Sequence, residues 1–304
     1  MCRHCHARRG EVKLGYARLS LCLDCFVRFV ERKVERTIKK YGMLKLGDRV
    51  LLALSGGKDS AVLLHILLKV MPDVEVKCLH IDLGVRGFSN ECRAKAEEVA
   101  ELEGVELHVV ELEGFLGLGV EELAKRVKRV CSTCGLLRRY ILNYEGLRLG
   151  VNKLATGHNL DDVTAILWDL YVRGDLLEAV KLQPVTPQVH PKALPRIKPL
   201  IELTDYELKV YADAEHIPYT PLQCTLGRES KLNRRKALLN SIEEQYPAFK
   251  HLLLKSHLKR ITPLISKLRV EEEWGVCSMC GMPSRGGVCA VCRLRSRLGL
   301  IRQP

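Results

Sequence analysis

The chain has 304 residues, 47% of them hydrophobic, and a mean hydropathy of -0.03, which fits a globular protein of one substantial domain with small satellites. No apolar run approaches the roughly 20 residues that cross a bilayer, which excludes a helical membrane protein. The net charge of +13 is unevenly placed: +8 over 1–49, −5 over 50–224 and +10 over 225–304. Two basic ends around a mildly acidic centre predict a polyanionic partner such as nucleic acid, held by charge and counterion release.

The chain opens on Cys2, Arg3, His4 and Cys5, with no apolar leader, and a cytoplasmic location is expected. Six Asn and five Gln in so charged a chain also suit a thermophile surface. Thirteen cysteines in a reducing compartment argue against a disulfide framework. Cys2, Cys5, Cys22 and Cys25 stand in a C-x2-C-x16-C-x2-C pattern. Two such knuckles supply four thiolates, the tetrahedral set of a structural zinc ion, so His4 and His6 are not needed as ligands. Residues 1–26 form a zinc module on this reading.

A basic amphipathic helix is expected over 27–41, leading into a catalytic unit that ends near 224. Strands are expected over 49–54, 75–82, 105–112 and 153–156. Helices are expected over 60–70, 91–103, 120–130, 136–149 and 161–172. Strands separated by helical stretches predict a parallel α/β sheet with right-handed crossovers. Five prolines between 184 and 199 predict a stiff extended loop. Thr204 and Glu207 read as a capping box for a helix running to about 215. Residues 225–272 read as a basic helical region that binds RNA. Residues 273–304 read as a second zinc module, with Cys277, Cys280, Cys289 and Cys292 spaced C-x2-C-x8-C-x2-C. Arg8, Arg9, Arg293, Arg295 and Arg297, around the two quartets, suit phosphate contacts.

Ser55-Gly56-Gly57-Lys58-Asp59-Ser60 lies between the first strand and its helix. Two glycines let the backbone turn and present N–H groups to an anion at a helix N-terminus. The Walker pattern is absent. The hydroxyls of Ser55 and Ser60 are candidate phosphate donors, Lys58 offsets charge, and Asp59 is a candidate Mg²⁺ ligand. Further on, Cys131-Ser132-Thr133-Cys134 precedes a basic stretch with Arg138 and Arg139, and Cys224 stands alone. Three thiolates are one short of a closed zinc site. They suit a [4Fe-4S] cluster with one open iron able to carry sulfide. A persulfide-carrying C-x2-C accounts for the spacing equally well, and a zinc site completed by histidine is a further alternative. Cys78 and Cys92 read as inert buried thiols.

The string SGGKDS resembles the PP-loop of N-type ATP pyrophosphatases, which adenylate a substrate and release pyrophosphate. The resemblance implies a doubly wound parallel sheet. It also implies an ATP site formed by Ala53, Ser55, Gly56, Gly57, Lys58, Asp59, Ser60, His80 and Gly157, at the ends of strands. CSTCGLLRR, the later lone cysteine and the terminal quartets further resemble the TtuA/TtcA/Ncs group of tRNA thiolation enzymes, and this match spans nearly the whole chain. It implies that Cys131, Cys134 and Cys224 ligate a [4Fe-4S] cluster, beside ATP, Mg²⁺ and two structural zinc ions. Asp59, Arg138, Asp162, Cys131 and Cys224 are its implied catalytic residues. Arg138 stands where TtuA-type enzymes often carry lysine, and Asp162 is preferred over Asp161 for the aspartate that follows GHN. The implied reaction adenylates the C2 oxygen of a tRNA uridine and replaces it with sulfur. The T-loop uridine at 54 is favoured over the wobble uridine at 34. A ubiquitin-like thiocarboxylate carrier as sulfur donor and a homodimer are implied too. A zinc-ribbon tRNA-binding scaffold, or a lysidine-type ligase on the same loop, are the competing readings. The ligase gives the three central cysteines no task.

Overall fold

The computed structural model describes residues 1–227, 231–267 and 273–300. Strands β1 (Val12–Leu14) and β2 (Leu19–Leu21) pair as a small antiparallel ribbon, and helix α1 (Leu23–Lys40) follows directly. Its apolar positions Phe26, Val30, Val34 and Ile38 recur every four residues and are buried. Asp24 in the first turn and Lys39 and Lys40 in the last complement the helix dipole.

A six-stranded sheet then forms the centre, in the order β5-β4-β3-β6-β8-β7. The chain runs through β3 (Arg49–Ala53), α2 (Lys58–Val70), β4 (Glu75–Asp82), α3 (Ser89–Leu102) and β5 (Leu107–Glu111). After α4 (Leu112–Leu116), α5 (Val120–Arg126) and α6 (Val130–Arg148) it returns past β3 to β6 (Lys153–Ala155), before α7 (Leu160–Val172) and α8 (Leu176–Ala179). Strand β3 pairs in parallel with both β4 and β6, so the winding reverses between β3 and β6. That reversal opens a crevice at the carboxyl ends of the strands, where the SGGKDS loop lies. Strand β3 is buried at Val50, Leu51 and Leu52 in succession, as expected of a parallel strand covered on both faces. The doubly wound sheet expected from the sequence is present.

Three local expectations need correction. The proline-rich segment contributes two short strands, β7 (Val185–Thr186) and β8 (Arg196–Ile197). Strand β8 joins β6 in parallel and β7 closes the edge antiparallel. Proline lacks a ladder donor, but the strands fall between the prolines. The C-x2-C at 131–134 lies inside the first turns of α6, because that helix starts at Val130 and not near 136. The third strand stops at Glu111, and Leu112 turns into α4.

Helix α9 (Asp205–Ala214) has the predicted capping box, with Thr204 and Glu207 bonding each other's backbone N–H. Helices α10 (Lys231–Gln245), α11 (Phe249–Ser256) and α12 (Thr262–Ser266) follow, then the ribbon β9 (Gly275–Val276) and β10 (Pro283–Ser284), and α13 (Ala290–Arg297). Two apolar clusters tie the ends to the centre. Cys2, Cys22 and Cys25 share one with Val50 and Leu208. Cys277, Cys289 and Cys292 share the other with Leu137 and Ile141 of α6.

Candidate active site

Backbone geometry shapes the loop first. Gly56 has φ of +77°, and a Cβ there would overlap the Cys92 carbonyl of α3. Its own carbonyl accepts from Thr220 N–H at 2.9 Å. Gly157 is packed against the loop less tightly: a Cβ would lie 3.0 Å from the backbone of Asp59 and Ser60. Ser60 is buried, donates its hydroxyl to Gly57 O at 2.9 Å and accepts from Ser55 N–H at 3.0 Å. Gly157 and Ser60 thus hold the loop in shape.

In front of the loop lies a cavity of about 190 Å³ lined by Ala53, Ser55, Gly57, His80 and Arg138, among others. Ile81, Leu83, Phe88 and Leu142 supply apolar walls suited to a planar base. His80 is buried, and its Nδ1 lies 2.9 Å from Leu54 O. A carbonyl can only accept, so Nδ1 carries the proton and Nε2 is an acceptor. Burial pushes the His80 pKa down, which keeps the ring neutral. The sequence pointed to Ala53, Ser55, Gly57, His80 and Arg138, but Phe88 and Thr220 carry no local signature.

Beside the cavity is a carboxylate and lysine network. Lys58 Nζ is paired with Asp59 and lies 3.0 Å from Asp205 Oδ1. Asn159 Nδ2 donates to Asp59 Oδ2 at 3.1 Å and to Asp205 Oδ1 at 2.8 Å. Burial raises the Asp59 pKa to about 6, against the opposing pull of Lys58 and with help from Asp205. Burial would raise Asp205 as well, but Lys58 and Lys236 hold it down to about 2. Asp162 caps α7 in a box with Asn159 and pairs with Lys236 at 2.6 Å. Asp161 is buried, pairs with Lys250 at 2.6 Å and accepts from Asp205 N–H at 2.8 Å. That environment makes Asp161 a structural anchor and leaves Asp162 the more accessible of the two. Sequence patterns missed Asp205, Lys236 and Lys250, because ion pairs across some 30 to 90 residues leave no local signal. Arg235 likewise faces inward, to Asp169 at 2.5 Å. Part of the basic charge of the 225–272 region thus clamps that region onto the site.

Helix α6 carries the third component. Cys131, Cys134 and Arg138 follow at three- and four-residue steps, so they share one face, and Arg138 lines the cavity in front of the loop. Cys224 opens a turn closed by Gly227 N–H to Cys224 O at 2.9 Å, and Leu226 O of that turn lies 3.7 Å from Cys131 Sγ. Burial raises the Cys134 pKa; Arg138 opposes the shift, and the neighbouring Cys224 and Cys131 add to it. Three thiols that repel each other as thiolates are what a cationic iron centre relieves. They are absent from the described groups whose ligand atoms all lie within 4.8 Å of one another. Cys131 and Cys134, one turn apart on α6 and beside the turn that Cys224 opens, supply three thiols, the number that a cluster with one open iron would need.

The terminal quartets are tighter. In each, all four sulfurs lie within 4.8 Å of one another. Cys5 and Cys22 Sγ are 3.9 Å apart, and Cys280 and Cys289 Sγ are 3.7 Å apart. A tetrahedron with zinc–sulfur bonds of about 2.3 Å has edges of about 3.8 Å, so both quartets fit zinc.

A family model described as a PP-loop domain matches residues 28–221. The tRNA-5-methyluridine(54) 2-sulfurtransferase of Pyrococcus horikoshii is 36% identical over 288 residues, covering 94% of this chain and 90% of the relative. The enzyme of that name from Thermus thermophilus is 34% identical, covering 94% and 88%. The chain belongs to the PP-loop tRNA 2-sulfurtransferase family. Among solved structures, the U34-tRNA thiolase NcsA from Methanococcus maripaludis with its [4Fe-4S] cluster matches with a TM-score of 0.85 and 27% identity, over 99% of this chain and 97% of that one. As a 2-sulfurtransferase of this family, the chain has its loop and its cysteine-bearing helix meeting at Arg138. Among the described residues no helix is long and apolar enough to cross a membrane.

Proposed function

We propose that this enzyme adenylates the C2 oxygen of the T-loop uridine at position 54 of tRNA and replaces that oxygen with sulfur. The observation that carries the reading is the shared face of α6, with Cys134 and Arg138 one turn apart and Arg138 in the wall of the nucleotide cavity. The loop N–H groups and Lys58 bind ATP phosphates, and Lys58 exchanges Asp59 and Asp205 for them. Asp59, beside Lys58 in the loop, is the proposed carboxylate ligand for Mg²⁺ on those phosphates. Arg138, in the wall of that cavity and one turn from Cys134, offsets charge on the adenylated oxygen without exchanging a proton. The uridine must leave its stack to reach such a site. Cys131, Cys134 and Cys224 would hold the [4Fe-4S] cluster, which would supply an iron site for the sulfur that displaces AMP from C2. Zinc in the two quartets is structural.

Position 54 is supported by the relatives named for that uridine, which match at 34% to 36% identity, against 27% for the U34 thiolase. A thiocarboxylated ubiquitin-like protein is the proposed sulfur donor, and a homodimer the proposed assembly, both on family resemblance. The basic 225–272 region is read as contributing to tRNA binding through the cations that do not face inward.

The test is mass spectrometry of tRNA nucleosides from a strain lacking the gene, with position mapping. Loss of 2-thiouridine at 54 is expected, whereas loss at 34 alone overturns the position. Anaerobically purified protein should be brown, with about four irons per chain. Colourless protein with a third zinc would overturn the cluster.

A further inference from the structure

Helix α6 separates two cavities. One face lines the nucleotide pocket. The other borders a groove of about 760 Å³ between α6, the proline-rich segment and the C-terminal zinc module. Its walls carry Arg139, Arg196, Arg293 and Lys181, with Glu178 as the acid, and Glu178 is already paired with Lys181. Arg139 and Arg196 have no acidic partner among the described residues, in a chain where most charged helix faces are laced with ion pairs. Arg293 donates to the Val288 carbonyl, which leaves its charge unanswered. Beyond Arg196, the buried Lys198 Nζ bonds Gln183 O at 2.6 Å and likewise meets no carboxylate. Burial, then Arg138, lowers the pKa of Arg139; burial, then Arg139, lowers that of Arg196. Such mutual repulsion is costly unless an anion enters. The groove also holds Tyr140 and Trp274, with the Arg285 guanidinium 4.3 Å from the Trp274 ring centroid. Cations with aromatic faces form the pattern that tracks a nucleic-acid backbone and stacks its bases.

We infer that this groove holds the tRNA strand next to the target uridine, with Arg139 and Arg196 clamping one phosphodiester and Trp274 stacking a neighbouring base. The inference rests on the tRNA-thiolation reading and adds where the strand lies. Arg138 and Arg139 are consecutive on α6, so a phosphate held by Arg139 fixes the nucleotide whose base turns over the helix toward Arg138. A strand clamped there has a short path to the adenylating pocket.

The experiment uses the full-length holoenzyme and unmodified tRNA transcript. Arg139→Gln, Arg196→Gln and Trp274→Ala are compared with the parent for tRNA affinity across a salt series and for ATP affinity. Each arginine variant should weaken tRNA binding about tenfold and reduce the log–log salt slope by about 1. Trp274→Ala should weaken binding with the slope unchanged, since stacking releases no counterions. ATP affinity should match the parent, and the melting temperature should be equal or higher in the arginine variants, since a repelling charge is gone, which separates a lost contact from a misfolded chain. An Arg196→Lys variant should retain the slope while losing part of the affinity. Unchanged tRNA affinity and slope in both arginine variants overturns the groove. So does a defect seen only with thiocarboxylated carrier and not with sulfide, because the groove would then hold a protein tail. If the parent enzyme itself fails to bind or thiolate tRNA, the functional reading falls, and that outcome is distinct from a parent that works beside indifferent variants.

Discussion

Gly56 has no room for a methyl group: its φ is +77° and the Cys92 carbonyl occupies the Cβ position. Gly56→Ala should therefore destabilise the fold by about 3 kcal/mol, from left-handed strain plus overpacking, and abolish ATP binding. Gly57→Ala is the control, since a Cβ there meets nothing nearer than Ser55 Oγ at 3.6 Å. Its thermal melt should match the parent. Equal melts for the two variants would show that the loop does not rest on α3. Lys198 offers a test by pH. Burial, then Arg196, lowers its pKa from 10.5 to about 8. Between those values the unfolded chain holds the proton that the folded chain has released, so stability rises with pH through that window. Below about 8 the burial cost is fully present, on the order of 3 kcal/mol. Lys198→Met should remove the rise between pH 8 and 10 in a series of melting curves and stabilise the protein at pH 7. A slope unaffected by the substitution would mean that the lysine is hydrated in the fold.

At the level of elements, what the sequence made legible follows from the range of the forces involved. Strands β3, β4 and β6, the helices that follow them and the α9 capping box rest on local periodicity and capping, and each was readable within a residue or two. The metal quartets were readable because four thiolates at fixed spacing have few other uses. Strands β7 and β8 were not, since two residues between prolines carry no period and exist only because β6 offers an open edge. Asp205 and Lys236 were missed for the same reason: each is an ordinary surface residue until α9 is packed against α2 and α10 against α7. Helix α1 joins both kinds of information. Its apolar face is local, but its start is fixed by Cys22 at the N-cap and by Cys25 one turn in. Cys25→Ser should lose one zinc per chain and fray α1 from its N-terminus. Because Cys25 and Phe26 lie in the same cluster as the sheet, the melting temperature should fall by several degrees, as metal binding is coupled to folding. Full stability with one zinc missing would show that the ribbon is held by packing alone.

Across the whole molecule, the two cysteine quartets support different halves of the chemistry. The N-terminal cysteines share a cluster with Leu54 and Leu64, behind the loop that binds ATP. The C-terminal cysteines share theirs with Leu137 and Ile141, on the helix that carries Cys131, Cys134 and Arg138. Disturbing the second module should tilt α6 and loosen the three thiols without moving Gly56 or Lys58. Cys289→Ser should thus weaken ATP binding only modestly, because Arg138 and Leu142 of α6 line its cavity while the loop itself stays put, yet lose iron during purification and reduce thiolation by an order of magnitude or more, since a site a fraction of an ångström out of place loses most of its turnover. Iron and zinc counted per chain, with ATP binding measured on the same preparation, separate the outcomes. Iron retained at the parent level in a protein lacking its C-terminal zinc would mean that α6 is positioned by α5 and the sheet alone. ATP affinity lost together with iron would mean that the two halves move as one body.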